Sequence, residues 1–186
     1  NEDELQSWFI NEVSEYICSR GRRMIGWSEI MDGGLAKGAA IMSWHNEKAG
    51  IEAAKKGVDV VMAPCQYTYF DFYQADPQRE PLAIDGDLPC EKVYRFDPYF
   101  RGIPKEKQKH ILGGQGNLWT EYMSTLAHVE YMAFPRACAL AETLWTADQE
   151  RSFVDFCRRL GQHRMRLNAL NVNSHPLPYT GNYIRS

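Results

Sequence analysis

One stretch of the sequence, residues 39–62, decides the fold: AAIMSWHNEKAGIEAAKKGVDVVM. Its apolar run Ala39–Trp44 predicts a short buried strand, and Glu47–Lys56 predicts a helix that ends at Gly57. Val58–Met62 predicts a second strand. Two strands joined by a helix are typical of a parallel β/α unit. We therefore expect a parallel sheet with helices packed on it.

Further strands are predicted on both sides of this stretch. Upstream, apolar residues at helical spacing predict an amphipathic helix over Leu5–Arg20, and a short buried strand follows over Arg23–Trp27. Downstream, the glycine-rich run Ile111–Trp119 predicts another strand. Together with residues 39–62, these segments give about four parallel strands separated by helices or long connections, so the predicted fold class is α/β.

The remaining segments are predicted to be loops and helices. Residues 63–104 are rich in Pro, Gly, Asp and aromatic residues, so we expect loops there with at most a short helical turn at Glu91–Tyr94. Two helices are predicted near the end of the chain. The first covers about His128–Leu144 with a kink at Pro135, and the second covers about Asp148–Leu170.

Composition and charge exclude several classes of partner. The 186 residues are 44% hydrophobic and 24% charged, with a formal net charge of −3. Because there is no basic excess, nucleic acid is not expected as a partner. No run approaches the ~20 apolar residues of a membrane span, and the acidic start Asn1–Leu5 differs from a secretory signal. We expect a single domain over residues 1–186, with no membrane span and no signal within the chain.

The cysteines and histidines do not form a recognisable metal-binding or disulfide pattern. The five cysteines are an odd number without C-x-x-C spacing, and the five histidines have no HExxH pairing. We therefore expect neither a metal site nor a cofactor. A single disulfide between Cys65 and Cys90 remains an alternative for this part of the chain.

Aromatic and acidic residues recur where the predicted strands end. In a parallel β/α array, ligands bind at the carboxyl ends of the strands. An indole face packs on the C–H face of a pyranose, and carboxylates accept hydrogen bonds from its hydroxyls, so a sugar site is predicted. Its candidate residues are Trp27, Trp44, Tyr69, Asp71, Trp119 and Glu121.

Each of these residues also has a purely structural interpretation. A single tryptophan at a strand end is commonly a core residue, and Asp71 or Glu121 alone could cap a helix or lie in a solvated loop. The recurrence at consecutive strand ends favours the site. Glu29 and His45 lie beside two of the tryptophans and could support the site residues from behind, but a purely structural role is favoured for each.

Several segments of the chain resemble the family-20 glycoside hydrolases, the β-N-acetylhexosaminidases. They occur in the family's order across about Leu5–Leu170. The matching segments are Ile25–Ile30, Met42–Trp44, Val60–Asp71, Gly113–Glu121, Phe134–Arg136 and Ala141–Trp145.

The resemblance implies a fold of the (β/α)8 TIM-barrel type. The chain corresponds to the second half of that barrel, strands five to eight, so residues 1–186 are expected to be the C-terminal half of a catalytic barrel with no second domain. The length agrees, because a whole barrel takes about 250 residues. Half a barrel leaves two strand edges unpaired, so the missing N-terminal half, or self-association, is expected to cover them.

The resemblance also assigns roles to the candidate residues. Trp27, Trp44 and Trp119 correspond to tryptophans that enclose the 2-acetamido group and support the terminal sugar. Tyr69 corresponds to the catalytic tyrosine that donates a hydrogen bond to the acetamido oxygen. Asp71 and Glu121 correspond to acids that bind the outer hydroxyls. The family uses substrate assistance, in which the acetamido oxygen attacks the anomeric carbon in place of an enzyme carboxylate.

One element of the family pattern is missing. The family's adjacent Asp-Glu pair, which orients the acetamide and protonates the leaving oxygen, has no counterpart here in an HxGGDE-like context. Asp3-Glu4 contains the dipeptide but precedes a predicted helix. The chain is therefore predicted to supply the sugar and acetamide pocket of an exo-β-N-acetylhexosaminidase but not its general acid.

Two other functions are compatible with the residues. The chain could be a non-catalytic glycan-binding or oligomerising module, or a hydrolase that uses Asp71 and Glu121 as its catalytic pair. The expected ligand is a glycan ending in N-acetylglucosamine or N-acetylgalactosamine. The sequence itself leaves localisation open, and the resemblance implies a periplasmic, secreted or lysosomal protein.

Overall fold

The computed structural model describes residues 1–176. Its helices are α1 (Glu2–Ser19), α2 (Lys48–Lys55), α3 (Cys65–Thr68), α4 (Cys90–Tyr94), α5 (Leu126–Ala133), α6 (Arg136–Trp145) and α7 (Phe153–Ala169). Its strands are β1 (Ile25–Trp27), β2 (Ala40–Ser43), β3 (Val60–Met62), β4 (Phe72–Tyr73), β5 (Ile84–Asp87) and β6 (Ile111–Gly114). Short 3₁₀ segments occur at Ser28–Met31, Lys105–His110 and Asp148–Glu150.

Four of the strands form a parallel sheet in the order β1-β2-β3-β6. This confirms the parallel β/α arrangement predicted from residues 39–62. Ile41, Val60 and Met62 are completely buried and form the centre of the sheet's core. The register shifts between β3 and β6, where Gly113 has a φ of 132°, a conformation that favours glycine.

The described residues form two compact units. The first contains Asn1–Cys65 and Pro98–Gln115, and it includes α1, α2 and the four-stranded sheet. The second contains Gln66–Asp97 and the described residues from Gly116 onward. It includes a small parallel sheet of β4 and β5 together with helices α4 to α7. Neither unit is continuous in the sequence.

The prediction that residues 63–104 carry no strands was wrong. In the structure this segment contains α3, the β4–β5 pair and α4, of which only the last was expected. Strand β4 has two residues, too few for an alternating pattern to be recognised. Its pairing also depends on Gly86, where an added Cβ would lie 2.5 Å from the Phe72 ring. A glycine is therefore required inside a strand, against its usual preference.

The ends of the chain's later elements also differ from the prediction. The strand predicted over Ile111–Trp119 ends at Gly114. The helix predicted with a kink at Pro135 is two helices, α5 and α6, because Phe134 precedes a proline and adopts an extended backbone. The last helix begins at Phe153, where the Ser152 hydroxyl accepts a hydrogen bond from the Asp155 N–H.

Helix α1 presents apolar side chains to solvent. Leu5, Trp8, Phe9 and Tyr16 are 58–65% exposed, whereas Ser7 and Ser14 are buried. The Ser7 hydroxyl donates a 2.8 Å hydrogen bond to the Gly34 carbonyl oxygen, so α1 packs through its small polar face. We call the four exposed residues the α1 apolar face.

No helix within residues 1–176 is long and apolar enough to cross a membrane. All five cysteines lie in this described part of the chain and are in the thiol form, so the alternative Cys65–Cys90 disulfide is not formed.

Candidate functional site

Two tryptophans lie at the carboxyl ends of neighbouring strands in the first unit. Trp27 is the last residue of β1, and Trp44 directly follows β2. The parallel register pairs Trp27 with Met42, so the carboxyl ends of the two strands lie side by side. The ring centroids are 6.3 Å apart and the planes meet at 75°. The two indoles therefore lie together at the carboxyl end of the sheet, and both side chains are half-buried.

Glu29 and His45 both contact Trp44. The Trp44 Nε1–H donates a 2.7 Å hydrogen bond to Glu29 Oε1. The His45 ring stacks on the indole with a centroid distance of 3.5 Å, and its Nε2 lies 3.6 Å from Glu29 Oε1. Sequence reasoning favoured a structural role for these two residues and left support of the site residues as an alternative, without naming Trp44 as the residue they contact. The W-x-E spacing at the end of β1 was the available signal.

Tyr69 and Trp119 lie together in the second unit. Tyr69 follows α3 and forms a parallel bridge with Asn117, fixed by hydrogen bonds from Phe70 N to Asn117 O and from Asn117 N to Thr68 O. The Tyr69 ring lies 6.5 Å from the Trp119 indole, centroid to centroid. Tyr69 is buried, whereas Trp119 is 41% exposed. The indole therefore offers an accessible apolar surface beside a largely buried phenol.

Asp71 is a buried carboxylate with an unused acceptor. Its exposure is 4%, and Oδ1 accepts no hydrogen bond from the described residues. Burial raises the pKa of Asp71 to about 6, and the negative charge of Glu121 raises it further, while its own backbone N–H and Arg136 oppose the shift. Glu121 itself is exposed. An unsatisfied buried oxygen is costly, so it is suited to accept a hydrogen bond from a ligand.

Arg136 fixes the backbone around Asp71. This completely buried side chain at the start of α6 donates hydrogen bonds to the carbonyl oxygens of Phe70 and Phe72, the residues on either side of Asp71. It also donates to the carbonyls of Leu88 and Met132. Burial lowers the pKa of Arg136 to about 9, so the guanidinium remains charged at neutral pH. Sequence reasoning identified Phe134–Arg136 as a matching segment but gave the arginine no role.

No group of three or more His, Cys, Asp or Glu side chains in the described part of the chain is arranged to hold a metal ion. The candidate residues themselves offer apolar ring faces, a phenol and carboxylates. These groups suit a neutral polyhydroxylated ligand such as a sugar.

The sequence matches a known catalytic domain. Residues 1–148 match the family described as glycosyl hydrolase family 20, catalytic domain. The chain is 45% identical over 180 residues to a beta-hexosaminidase of Porphyromonas gingivalis, an alignment that covers 96% of this chain and 23% of that protein. It is 36% identical over 143 residues to a beta-hexosaminidase of Vibrio furnissii, covering 74% of this chain and 23% of that protein.

Solved structures agree with the sequence match. The chain resembles the crystal structure of a GH20 exo-beta-N-acetylglucosaminidase from Vibrio harveyi in complex with N-acetylglucosamine. The TM-score is 0.87 at 34% identity, with 96% of this chain and 28% of that chain covered. The four parallel strands and their helices therefore form part of a (β/α) barrel. The chain spans about a quarter of the length of the curated relatives named above.

Proposed function

Because the chain belongs to glycosyl hydrolase family 20, we propose that it is part of an exo-β-N-acetylhexosaminidase that removes terminal N-acetylglucosamine or N-acetylgalactosamine from glycans. In this proposal, residues 1–186 are the C-terminal half of the catalytic barrel. They supply binding groups for the sugar and its acetamide, whereas the general acid comes from another part of the enzyme.

The observation that carries this proposal is the buried carboxylate oxygen of Asp71, unpartnered within residues 1–176. Its Oδ1 is buried and accepts no hydrogen bond from the described residues, and the accessible Trp119 indole belongs to the same unit. A carboxylate in this state would gain a charge-assisted hydrogen bond from a sugar hydroxyl, and an indole would cover the C–H face of the ring. Glu121 would accept a second hydroxyl.

The proposed mechanism uses the substrate's own acetamide. The acetamido carbonyl oxygen attacks the anomeric carbon and forms a cyclic intermediate, so no protein carboxylate acts as the nucleophile. The Tyr69 hydroxyl would donate a hydrogen bond to that oxygen and hold it in line with the anomeric carbon. Trp27 and Trp44 would pack against the acetamide group. Tyr69 is thus the catalytic residue of this chain, and the tryptophans and acids bind substrate.

The Asp3-Glu4 dipeptide is not a candidate for the general acid. Both residues lie in the first turn of α1, and Glu4 Oε2 accepts a 2.9 Å hydrogen bond from the backbone nitrogen of Asn1. Glu4 and Asn1 form a capping box that stabilises the helix start. General acid catalysis contributes about 10²- to 10⁴-fold, so we expect no measurable hydrolysis by residues 1–186 alone.

In this proposal, the rest of the barrel or a second copy of the chain covers the outer sides of two strands and one face of a helix. Strands β1 and β6 are the outer strands of the four-stranded sheet, and the α1 apolar face is exposed. The remaining half of the barrel would pair with these edges, and in its absence self-association would cover them. In either arrangement, the outer strands β1 and β6 gain a hydrogen-bonded neighbour on the side where each now has none within the sheet of the described residues.

A paired binding and activity measurement tests the proposal. N-acetylglucosamine is titrated calorimetrically into the chain and into the polypeptide that contains it together with the rest of the barrel, and both are assayed on a chromogenic N-acetylglucosaminide. We expect binding by both proteins and hydrolysis by the longer one alone. Binding without hydrolysis by the longer polypeptide would favour a glycan-binding module. If the longer polypeptide neither bound nor hydrolysed the sugar, the proposal would be overturned.

Tyr69→Phe tests the role of the phenol in the longer polypeptide. Because the lost hydrogen bond positions the reacting oxygen, we expect kcat to fall about 10- to 100-fold while KM changes little. Tyr99→Phe, at an exposed tyrosine outside the candidate site and outside the α1 apolar face, is the matched control and should leave both constants unchanged. A Tyr69→Phe enzyme with normal kcat and a raised KM would contradict the role.

A further inference from the structure

The carboxylate of Glu29 lies at the one polar atom of the Trp44 indole. The Nε1–H donates to Glu29 Oε1 at 2.7 Å, a short distance for a bond to a charged acceptor. The acceptor comes from the 3₁₀ segment after β1, and the donor comes from the residue after β2. This hydrogen bond therefore joins the carboxyl ends of two neighbouring strands through side chains.

The indole is restrained on further sides. His45 stacks on its face at 3.5 Å with an interplanar angle of 27°, and Trp27 approaches it edge-on at 6.3 Å. His45 Nε2 also lies 3.6 Å from Glu29 Oε1. Because the indole is attached at its Cβ, it reorients by rotation about χ1 and χ2, and stacking on the adjacent His45 ring restrains these rotations only weakly. The hydrogen bond at Nε1 adds a directional restraint, because rotation about either bond would move the N–H away from Glu29 Oε1.

The backbone of Glu29 is held independently of its carboxylate. The Gln6 side-chain amide on α1 donates a 2.6 Å hydrogen bond to the Glu29 carbonyl oxygen, and Asp32 N donates to the same oxygen at 3.0 Å. The carboxylate is 43% exposed, so its removal opens no cavity in the core. A substitution at Glu29 is therefore expected to change the orientation of Trp44 while the 3₁₀ segment remains in place.

We propose that Glu29 is a positioning residue that fixes the plane of the Trp44 indole and thereby sets how closely the N-acyl group of the substrate is held. This inference rests on the proposed function, in which Trp44 packs against the acetamide. A fixed indole presents a rigid wall to the acyl group and favours acetyl over larger acyl groups. A mobile indole would orient the acetamido oxygen less well and would tolerate a longer acyl chain.

The first test observes the hydrogen bond without any assay of activity. In ¹⁵N-labelled chain, the Trp44 indole N–H signal is assigned by its loss in Trp44→Phe. We expect Glu29→Ala to shift this signal and speed its hydrogen exchange, and Glu29→Gln to retain most of the protection, because the amide oxygen can still accept. Glu52→Ala, which removes an exposed carboxylate paired with Lys55 on α2, is the control. An unchanged Trp44 signal in Glu29→Ala overturns the inference.

The second test measures acyl-group discrimination in the longer polypeptide. With N-acetyl- and N-propionylglucosaminides as substrates, we expect Glu29→Ala to lower kcat on the N-acetyl substrate about tenfold and to narrow the preference for acetyl by a similar factor. Glu29→Gln should retain most of the kcat and most of the preference for the acetyl group. Glu52→Ala should match the wild type in both quantities. In the Trp44→Phe background, which lacks the N–H, Glu29→Ala should have no added effect.

The outcomes separate the inference from the proposed function. A wild-type protein that hydrolyses neither substrate overturns the proposed function, and with it the acyl-group part of the inference. A wild-type protein that is active, with a Glu29→Ala variant that keeps its kcat and its acetyl preference, overturns the positioning role alone. An added loss from Glu29→Ala in the Trp44→Phe background would also overturn it, since Glu29 would then act through another group.

Discussion

Burial of the Asp71 carboxylate costs stability at neutral pH. Its pKa in the folded chain is about 6, against an ordinary value of 3.8, so the folded state holds more protons than the unfolded state between these pH values. The free energy of unfolding therefore falls as pH rises from about 4 to about 6. A residue kept at such a cost is typical of a functional site.

Asp71→Asn should stabilise the chain at neutral pH and weaken sugar binding. Asparagine has no charge to desolvate, so we expect about 1 to 2 kcal/mol of added stability at pH 7.5 and almost none at pH 4. Urea denaturation at the two pH values measures the difference, and calorimetric titration with N-acetylglucosamine measures the loss of binding. Asp87→Asn, an exposed aspartate on β5 in the same unit, is the control. Lower stability than wild type at pH 7.5 would contradict the assignment.

Trp119→Ala should weaken sugar binding with little effect on stability. The indole is 41% exposed, so its removal costs little core packing, whereas loss of an aromatic anchor costs on the order of 2 kcal/mol of binding. That corresponds to about a 30-fold higher Kd for N-acetylglucosamine in the longer polypeptide. The control is Trp145→Ala, which removes an indole that is 90% exposed on α6. Equal effects of the two variants on Kd would contradict the predicted sugar contact.

The sequence indicates candidate residues for the site but not the contacts that hold them. Tryptophans and acids at strand ends can be found from the chain order, because parallel strands bring their carboxyl ends to one edge. The bonds from Arg136 to the Phe70 and Phe72 carbonyls cross more than 60 positions of sequence. Backbone carbonyls carry no sequence signal, so such a contact is visible only in three dimensions.

At the scale of the elements, one carboxylate links the amino ends of three strands. Asp59, just before β3, accepts a 2.7 Å hydrogen bond from Arg23 Nη1 before β1, and its Oδ1 lies 2.9 Å from His110 Nδ1 before β6. Arg23 also donates to the Gly38 carbonyl oxygen near β2. The hydrogen bonds from His110 and then Arg23 lower the pKa of Asp59 below its ordinary value. This cluster lies at the amino ends of the parallel strands, whereas Trp27 and Trp44 lie at their carboxyl ends.

Asp59→Asn should destabilise the chain at neutral pH. Since the folded pKa lies below the unfolded value of 3.8, the stabilisation is present above about pH 4 and is lost as pH falls through the folded pKa. We expect a cost of about 1 kcal/mol at pH 7 after allowance for solvent screening, and a smaller one in 1 M salt. Urea denaturation at both salt concentrations measures it, with Glu52→Gln on α2 as control. A cost that persists undiminished at pH 3 would contradict the ionic origin.

The longest apolar runs predicted elements well, and short or glycine-rich segments did not. Strands β2 and β3 follow from runs of largely buried apolar residues, and α1 from its helical spacing. The strand predicted over Arg23–Trp27 is present as β1, but the prediction that it is buried was wrong, because Ile25 is 46% exposed and the other two residues of β1 are half-buried. Strand β6 ends at Gly114, and the hydrogen bond from Gln115 N to Met62 O is the last one that this segment makes with β3. The run of glycines has no side-chain periodicity from which that end could be located.

For the whole molecule, the α1 apolar face leads to a prediction about association. Four large apolar side chains on one helix form a patch that is unusual on an isolated protein. We expect the isolated chain to self-associate, with a mass above 21.4 kDa in sedimentation experiments. Replacing Trp8 and Phe9 with glutamate should weaken the association, whereas Val154→Glu on the exposed surface of α7 should not. A monomeric wild-type chain would contradict this prediction.

The division of the chain into two discontinuous units has a consequence for biosynthesis. The polypeptide passes from one unit to the other after Cys65, after Asp97 and after Gln115. During translation, strands β1 to β3 emerge from the ribosome before β6. The first unit therefore cannot be completed until residues 98–115 have emerged, and by then residues 66–97 of the second unit are already outside the ribosome. Incomplete units with open strand edges are the species that chaperones recognise. We therefore expect the first unit to be bound by chaperones and sensitive to proteases in nascent chains arrested before Gln115, and to be better protected from proteases in chains arrested well beyond it.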